Sequence, residues 1–355
     1  MKIFLRIVGV IALIALGIFG WWYFIDNPAP ESRPDLVRKP EHLPDPPKGY
    51  GTLNSLYLNY AMGRLDIMDE EELEGGDASE GVEEQYDVEY GRVGDRVLVL
   101  DLYTPKNLSA PAPMILFIHG GGWRSGDKGD YRFYTRHFAE QGYVVASIGY
   151  RLSKEAKYPA AVHDVKCAVR YVRSHAEELN IDSERIGVIG GSAGGHLAMM
   201  IGYSSDVHRL EGDGGWPDAS SHVKCVVNIY GPVDFTTEHG RSHDLTTSFI
   251  GKTYEEAEYL YQEVSPYFHL DEKDPPTMIL HGTLDDLVPI TQADTLAAEL
   301  EKLGIPYWYD RIDGWPHTMD LSRPVNKHFK TMISAFFDEY LKGDGTTVSP
   351  IVAGE

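Results

Sequence analysis

Arg185-Ile-Gly-Val-Ile-Gly-Gly-Ser-Ala-Gly-Gly-His-Leu-Ala198 decides how the rest of the chain is read. Residues 186–189 are a short apolar run fit for a strand buried on both faces, and the apolar spacing from Leu197 onward is helical. Between them Gly190, Ser192 and Gly194 form a G-x-S-x-G pattern. A serine hydroxyl attacks only when it is raised from its surroundings, freed of steric cover and set beside a base. A sharp strand-to-helix turn does this but crowds its own flanks, so the positions two before and two after the serine must be nearly bare. The following helix turns free N–H groups and a positive dipole end toward the place where a negative oxygen would form.

Outward from this turn, strand and helix signals alternate. Residues 114–118 and 143–148 are continuous apolar runs, and 223–230, 278–280 and 307–312 read as further strands. Residues 97–103 alternate apolar and acidic side chains, as an edge strand does. Helical stripes fall at 132–141, at Val162, Val165, Val169 and Val172, at Ala293, Leu296, Ala297, Leu300 and Leu303, and at Phe329, Met332, Ile333, Phe336, Phe337, Tyr340 and Leu341. The pattern predicts an α/β fold: a mostly parallel sheet with helices on both faces. Such sheets bind ligands at the carboxyl ends of their strands.

The chemically distinctive residues do follow strands. After 114–118 comes His119-Gly120-Gly121-Gly122-Trp123, whose glycines let the backbone approach a ligand. The amides of Gly121 and Gly122, with that of Ala193, are expected to hold a tetrahedral oxyanion. Asp285 follows the strand at 278–280 within His281-Gly-Thr-Leu-Asp-Asp286-Leu-Val-Pro289, and His317 follows 307–312 within Asp313-Gly-Trp-Pro-His. The order Ser192, Asp285, His317 suits a nucleophile, an orienting acid and a base. His281 and His196 are read as satisfying backbone groups. His239 and His243 have a metal-like spacing without a second pair, so no metal is expected. Pocket shape is assigned to 234–268 and to Trp123 and Trp315.

Lys2 and Arg6 precede an uncharged apolar run over 7–25 that ends in Trp21-Trp-Tyr-Phe24. Its length and aromatic end predict an N-terminal transmembrane helix at 1–25, with a cleaved signal peptide as the rival. Either way the body would lie on the extracytoplasmic side. Prolines recur through 26–48, which reads as a semi-extended linker, and 49–89 reads as an acidic extension whose 69–89 stretch is a solvated loop. The main domain is placed at 90–342, with a frayed tail at 343–355. A formal charge of −22 argues against nucleic acid and against docking on anionic lipid through a basic patch. Cys167 and Cys225 are expected to be buried free thiols.

Over about 90–342 the chain resembles the α/β-hydrolase superfamily, near the hormone-sensitive-lipase-like esterases through His119-Gly-Gly-Gly122. In detail it is most similar to the bacterial pectin-, xylan- and feruloyl-acetylesterase-like branch, through 150–160, His163-Asp-Val-Lys166, 190–196, Gly231-Pro-Val-Asp-Phe235 and 281–289. Gly191 stands where the hormone-sensitive-lipase pattern has Asp, which favours that branch. The resemblance implies an α/β-hydrolase fold and hydrolysis of short acyl esters, acetyl groups on carbohydrate among them, with no metal or organic cofactor. A lipase, amidase or peptidase on the same scaffold is the alternative, and a non-catalytic binding domain a third reading.

Overall fold

A computed structural model describes residues 33–76 and 80–343. The anchor read at 1–25 and the tail beyond 343 lie outside the described residues; among the described residues no helix is long and apolar enough to cross a membrane.

Eight strands form one sheet: β1 (Val82–Val93), β2 (Arg96–Pro105), β3 (Ala112–Ile118), β4 (Val144–Ile148), β5 (Ile181–Gly191), β6 (Cys225–Ile229), β7 (Thr277–Gly282) and β8 (Tyr307–Ile312). Their order is β1-β2-β4-β3-β5-β6-β7-β8; β1 and β2 pair antiparallel and all strands from β4 onward run parallel. Six helices of nine residues or more accompany it: α1 (Leu53–Ala61), α2 (Arg132–Glu140), α3 (Ala160–Ser174), α4 (Ala193–Tyr203), α5 (Thr291–Leu303) and α6 (Arg323–Phe337).

Side chains alternate across each strand, so each face has its own core. Met114, Leu116, Ile118, Val144, Ala146, Val188 and Val226 pack with α3, α4 and α5. Ile115, Phe117, Val145, Ile189, Val227, Met278 and Leu280 pack with α2 and α6. Apolar residues on both faces explain why the central strands read as unbroken hydrophobic runs. Cys167 and Cys225 are free and buried, one in each core. This is the α/β-hydrolase arrangement.

Three expectations need correction. Residues 97–103 lie in β2, second from the edge, because β1 pairs outside it. The edge strand β1 begins at Val82, inside the stretch read as a solvated acidic loop and eight residues before the expected domain start. Its Glu83, Glu84, Asp87 and Glu89 put charge along an otherwise adhesive edge. The proline-rich linker, where described, is fixed to the body: Arg38 exchanges backbone hydrogen bonds with Tyr309 of β8 at 2.9 and 2.6 Å, and Leu36 and Leu43 pack on the two cores. It covers the other edge of the sheet.

Candidate active site

The site is built at the carboxyl ends of β3, β5, β7 and β8. Ser192 sits between β5 and α4 with φ 56° and ψ −121°, a strained conformation held by its N–H donating to Ile229 O at 2.9 Å. A Cβ on Gly190 would overlap the Gly194 carbonyl, and one on Gly194 would overlap Ile118 O. A Cβ on Gly191 would fall on the Tyr131 hydroxyl, which explains why no Asp occupies that place.

The three residues proposed to react together meet. His317 Nε2 lies 2.9 Å from Ser192 Oγ, and His317 Nδ1 lies 2.6 Å from Asp285 Oδ2. Asp285 Oδ1 accepts from the N–H groups of Leu287 and Val288 at 3.0 and 2.8 Å. Burial alone would raise the Asp285 pKa, but hydrogen bonds from His281 and His317 hold it well below the usual carboxylate range. Asp285 is buried, whereas its neighbour Asp286 is exposed and accepts from Tyr57 Oη at 3.3 Å.

Gly121 and Gly122 follow β3 with φ +98° and +59°, beside the nucleophile. Among the described residues, the N–H groups of Gly121, Gly122 and Ala193 donate to no backbone acceptor outside helices and strands. They are free to meet an anionic oxygen.

His281, His239 and His196 each meet a backbone oxygen, whereas His243 accepts from the Leu245 N–H through Nδ1 at 3.2 Å. His281 Nε2 lies 2.8 Å from Val288 O and 3.2 Å from Asp285 Oδ2. His239 Nε2 meets Leu287 O at 2.9 Å. His196, on α4, meets Val264 O through Nε2 at 2.7 Å and accepts from Trp123 Nε1 at 3.2 Å. Trp123 is thereby fixed as a pocket wall, with its ring stacked on Phe249. Trp315 is not in the pocket: it is buried, donates from Nε1 to Pro47 O at 2.8 Å and meets the edge of Tyr50. Its place beside His317 in sequence does not place it beside substrate.

Burial holds the His196 imidazole down at about 4, outweighing the Val264 carbonyl that favours its charged form. The unfolded chain, with the ordinary value near 6.5, binds the proton first as pH falls. Stability is therefore complete above about pH 6.5 and declines toward pH 4, by about 3 kcal/mol for this group. His137, also held at about 4 by burial, acts in the same window. Urea midpoints for wild type and His196→Gln should converge on acidification from pH 6.5 to 4; parallel pH curves would remove His196 from the acid response.

Two cavities adjoin Ser192. A narrow niche of about 40 Å³ is lined by Trp123, Phe235, Leu245, Leu287 and Val288. A cleft of about 420 Å³ is lined by Gly120, Gly121, Tyr131, Tyr230, His317 and Asp320. Only Gly122, Ser192, Leu245 and Leu287 line both. The niche does draw on 234–268, but Leu287 and Tyr230 carry no motif that marks them in the sequence. Tyr230, at φ 42°, lays its ring 4.6 Å from that of His317 and donates its hydroxyl to the buried Asp320.

In sequence and in fold the chain is similar to known esterases. LipM and LipC of Mycobacterium tuberculosis, the second named an esterase, are 31% and 30% identical over 66% and 64% of this chain. The chain spans only 56% and 58% of their lengths. Among solved structures, a truncated carbohydrate esterase from gut microbiota superposes with a TM-score of 0.64 at 29% identity, covering 73% of this chain and 96% of that one. Esterase 2 of Thermogutta terrifontis gives a TM-score of 0.63 at 28% identity, over 75% and 95%. The BD-FAE family model matches residues 100–300, more than half of the chain, and the protein belongs to the BD-FAE family.

Proposed function

We propose that the protein is a serine carboxylic-ester hydrolase that removes short acyl groups, acetyl foremost, from a bulky alcohol such as a carbohydrate. The observation that carries this reading is the unequal division of space around Ser192. His317 lines the large cleft and not the niche. The leaving alcohol must take its proton from His317, so the alcohol belongs in the cleft and the acyl group in the niche. A water needs about 10–15 Å³ of such space, so about 40 Å³ takes an acyl chain of about three or four heavy atoms. The cleft, ten times larger, has room for a sugar.

In this mechanism His317 Nε2 takes the Ser192 proton as Oγ attacks the ester carbonyl. The resulting oxyanion is received by the N–H groups of Gly121, Gly122 and Ala193. Collapse breaks the carbon–oxygen bond to the alcohol, which leaves with the proton from His317. Water, deprotonated by the same imidazole, then hydrolyses the acyl-enzyme and restores Ser192. The Lys2, Arg6 and 7–25 pattern supports a body tethered on the extracytoplasmic side of a membrane.

A p-nitrophenyl ester series tests the division of space. Wild-type kcat/KM should fall steeply beyond butyrate. Leu245→Ala opens the partition and should raise the hexanoate-to-acetate ratio by about tenfold, the scale set by one or two methylenes. A wild type that prefers octanoate, or a Leu245→Ala profile identical to wild type, contradicts the assignment of the niche.

A further inference from the structure

Beside the cleft, outside the stretch matched to the family, the chain builds an arch across the loop that carries His317. One foot is Tyr50, whose N–H donates to Gly314 O at 2.7 Å. The other is Met68, whose N–H donates to Leu321 O at 2.9 Å, next to the bridge between Ile67 and Ser322. Leu321 itself lines the cleft. Between the feet runs α1, capped at its N-terminus by Thr52 and set on the body by the buried Leu56. Its Tyr57 hydroxyl reaches Asp286, which stands between the triad acid and the cleft-lining Leu287. The arch is therefore continuous with the alcohol side of the site.

Its outer surface has an unusual chemistry for this chain. Tyr57 is 50% exposed, Tyr60 64% and Met62 43%. Tyrosines three apart on a helix are neighbours. No charged side chain occurs from Thr52 to Gly63, although the whole chain carries −22. Flat exposed rings amid neutral polar groups suit the C–H faces and hydroxyls of a pyranose, with the exposed charges Arg64 and Asp286 at the margin of the helix rather than on it.

We propose that α1 is a second binding surface, on which Tyr57 and Tyr60 stack pyranose units of a polysaccharide flanking the esterified sugar. The proposal rests on the ester-hydrolase reading with a carbohydrate alcohol. A polymer would bind through the cleft and the platform together, and a small ester through the cleft alone.

The Tyr57→Ala/Tyr60→Ala double variant is compared with wild type on p-nitrophenyl acetate and on acetylated xylan, glucomannan and pectin. Activity on p-nitrophenyl acetate should stay within twofold, while kcat/KM on at least one polymer falls about tenfold, through KM. The Tyr57→Phe/Tyr60→Phe variant keeps both rings and should recover the polymer rate. Native gels containing each polymer should retard the Ser192→Ala protein and not the same protein carrying the two alanines. Equal loss on small ester and polymer, wild-type polymer kinetics in the alanine variant, no retardation by any polymer, or association of this face with a second copy or with lipid vesicles instead would overturn the proposal. A wild type inert toward p-nitrophenyl acetate would instead strike the ester-hydrolase reading itself.

Discussion

Ser192→Ala is expected to leave less than about one part in 10⁴ of wild-type kcat on p-nitrophenyl acetate, with the folded state intact. The hydroxyl lies 2.9 Å from His317 Nε2 at the junction of the niche and the cleft. With Ser192 as the proposed nucleophile, removing its hydroxyl leaves only the background that the N–H donors and binding would supply. The backbone has little reason to respond. The turn is held by Ser192 N–H donating to Ile229 O and by the bare flanks at Gly190 and Gly194, none of which involve Oγ. Alanine meets the same positive φ as serine, so the melting temperature should move by no more than about 2–4 °C, the shift of about 1 kcal/mol in a large domain. A fluorophosphonate should label wild type at Ser192 and leave the variant unlabelled. Turnover within tenfold of wild type would place the nucleophile elsewhere.

The turn at Ser192 and the meeting of Ser192, Asp285 and His317 were readable because such an arrangement restricts residue type. Nothing with a side chain fits at 190 or 194, and the proposed acid and base at 285 and 317 need titratable side chains. The central strands were readable because both of their faces are buried. The edge strand β1 lacked such a signature. Its register slips between Gln85 and Val88 and again between Glu89 and Gly91, so the period-2 alternation changes phase within twelve residues. Asp87 takes φ 57° at the first slip, where the chain leaves extended geometry altogether.

The proline-rich segment was missed for another reason: it is tied to the body by the Arg38 backbone on Tyr309 and by the Arg38 guanidinium over the Tyr307 ring and beside Glu301, contacts that a lone arginine among prolines does not announce. Trp315 shows the converse error. Proximity in sequence to His317 promised a pocket residue, yet the direction of the indole is set by the Pro47 carbonyl and the Tyr50 ring, which arrive from the far end of the chain. Leu245 and Leu287 line both cavities through position alone, and a leucine there reads the same in the sequence as one in the core.

Asp285→Asn should lower kcat near neutral pH by about 10⁴-fold, the scale of losing the correct imidazole tautomer. The orientation of the new amide follows from the two oxygens of Asp285. Oδ1 accepts two backbone N–H groups, from Leu287 and Val288, and only the amide carbonyl can replace it without stranding both donors. The NH₂ group then takes the place of Oδ2, which lies 2.6 Å from His317 Nδ1. An amide nitrogen there donates to Nδ1, so the imidazole proton moves to Nε2. That nitrogen faces Ser192 Oγ at 2.9 Å and, carrying a proton, can no longer accept one. His281 cannot rescue the arrangement, because its Nε2 already meets Val288 O at 2.8 Å. Asp286→Asn is the control, since its carboxylate is exposed and accepts from the Tyr57 hydroxyl of α1, outside the residues lining either cavity. It should retain kcat within about threefold, as surface substitutions usually do. Comparable losses from both variants would deny Asp285 a distinct role, and a loss from Asp286→Asn alone would move the orienting acid to residue 286.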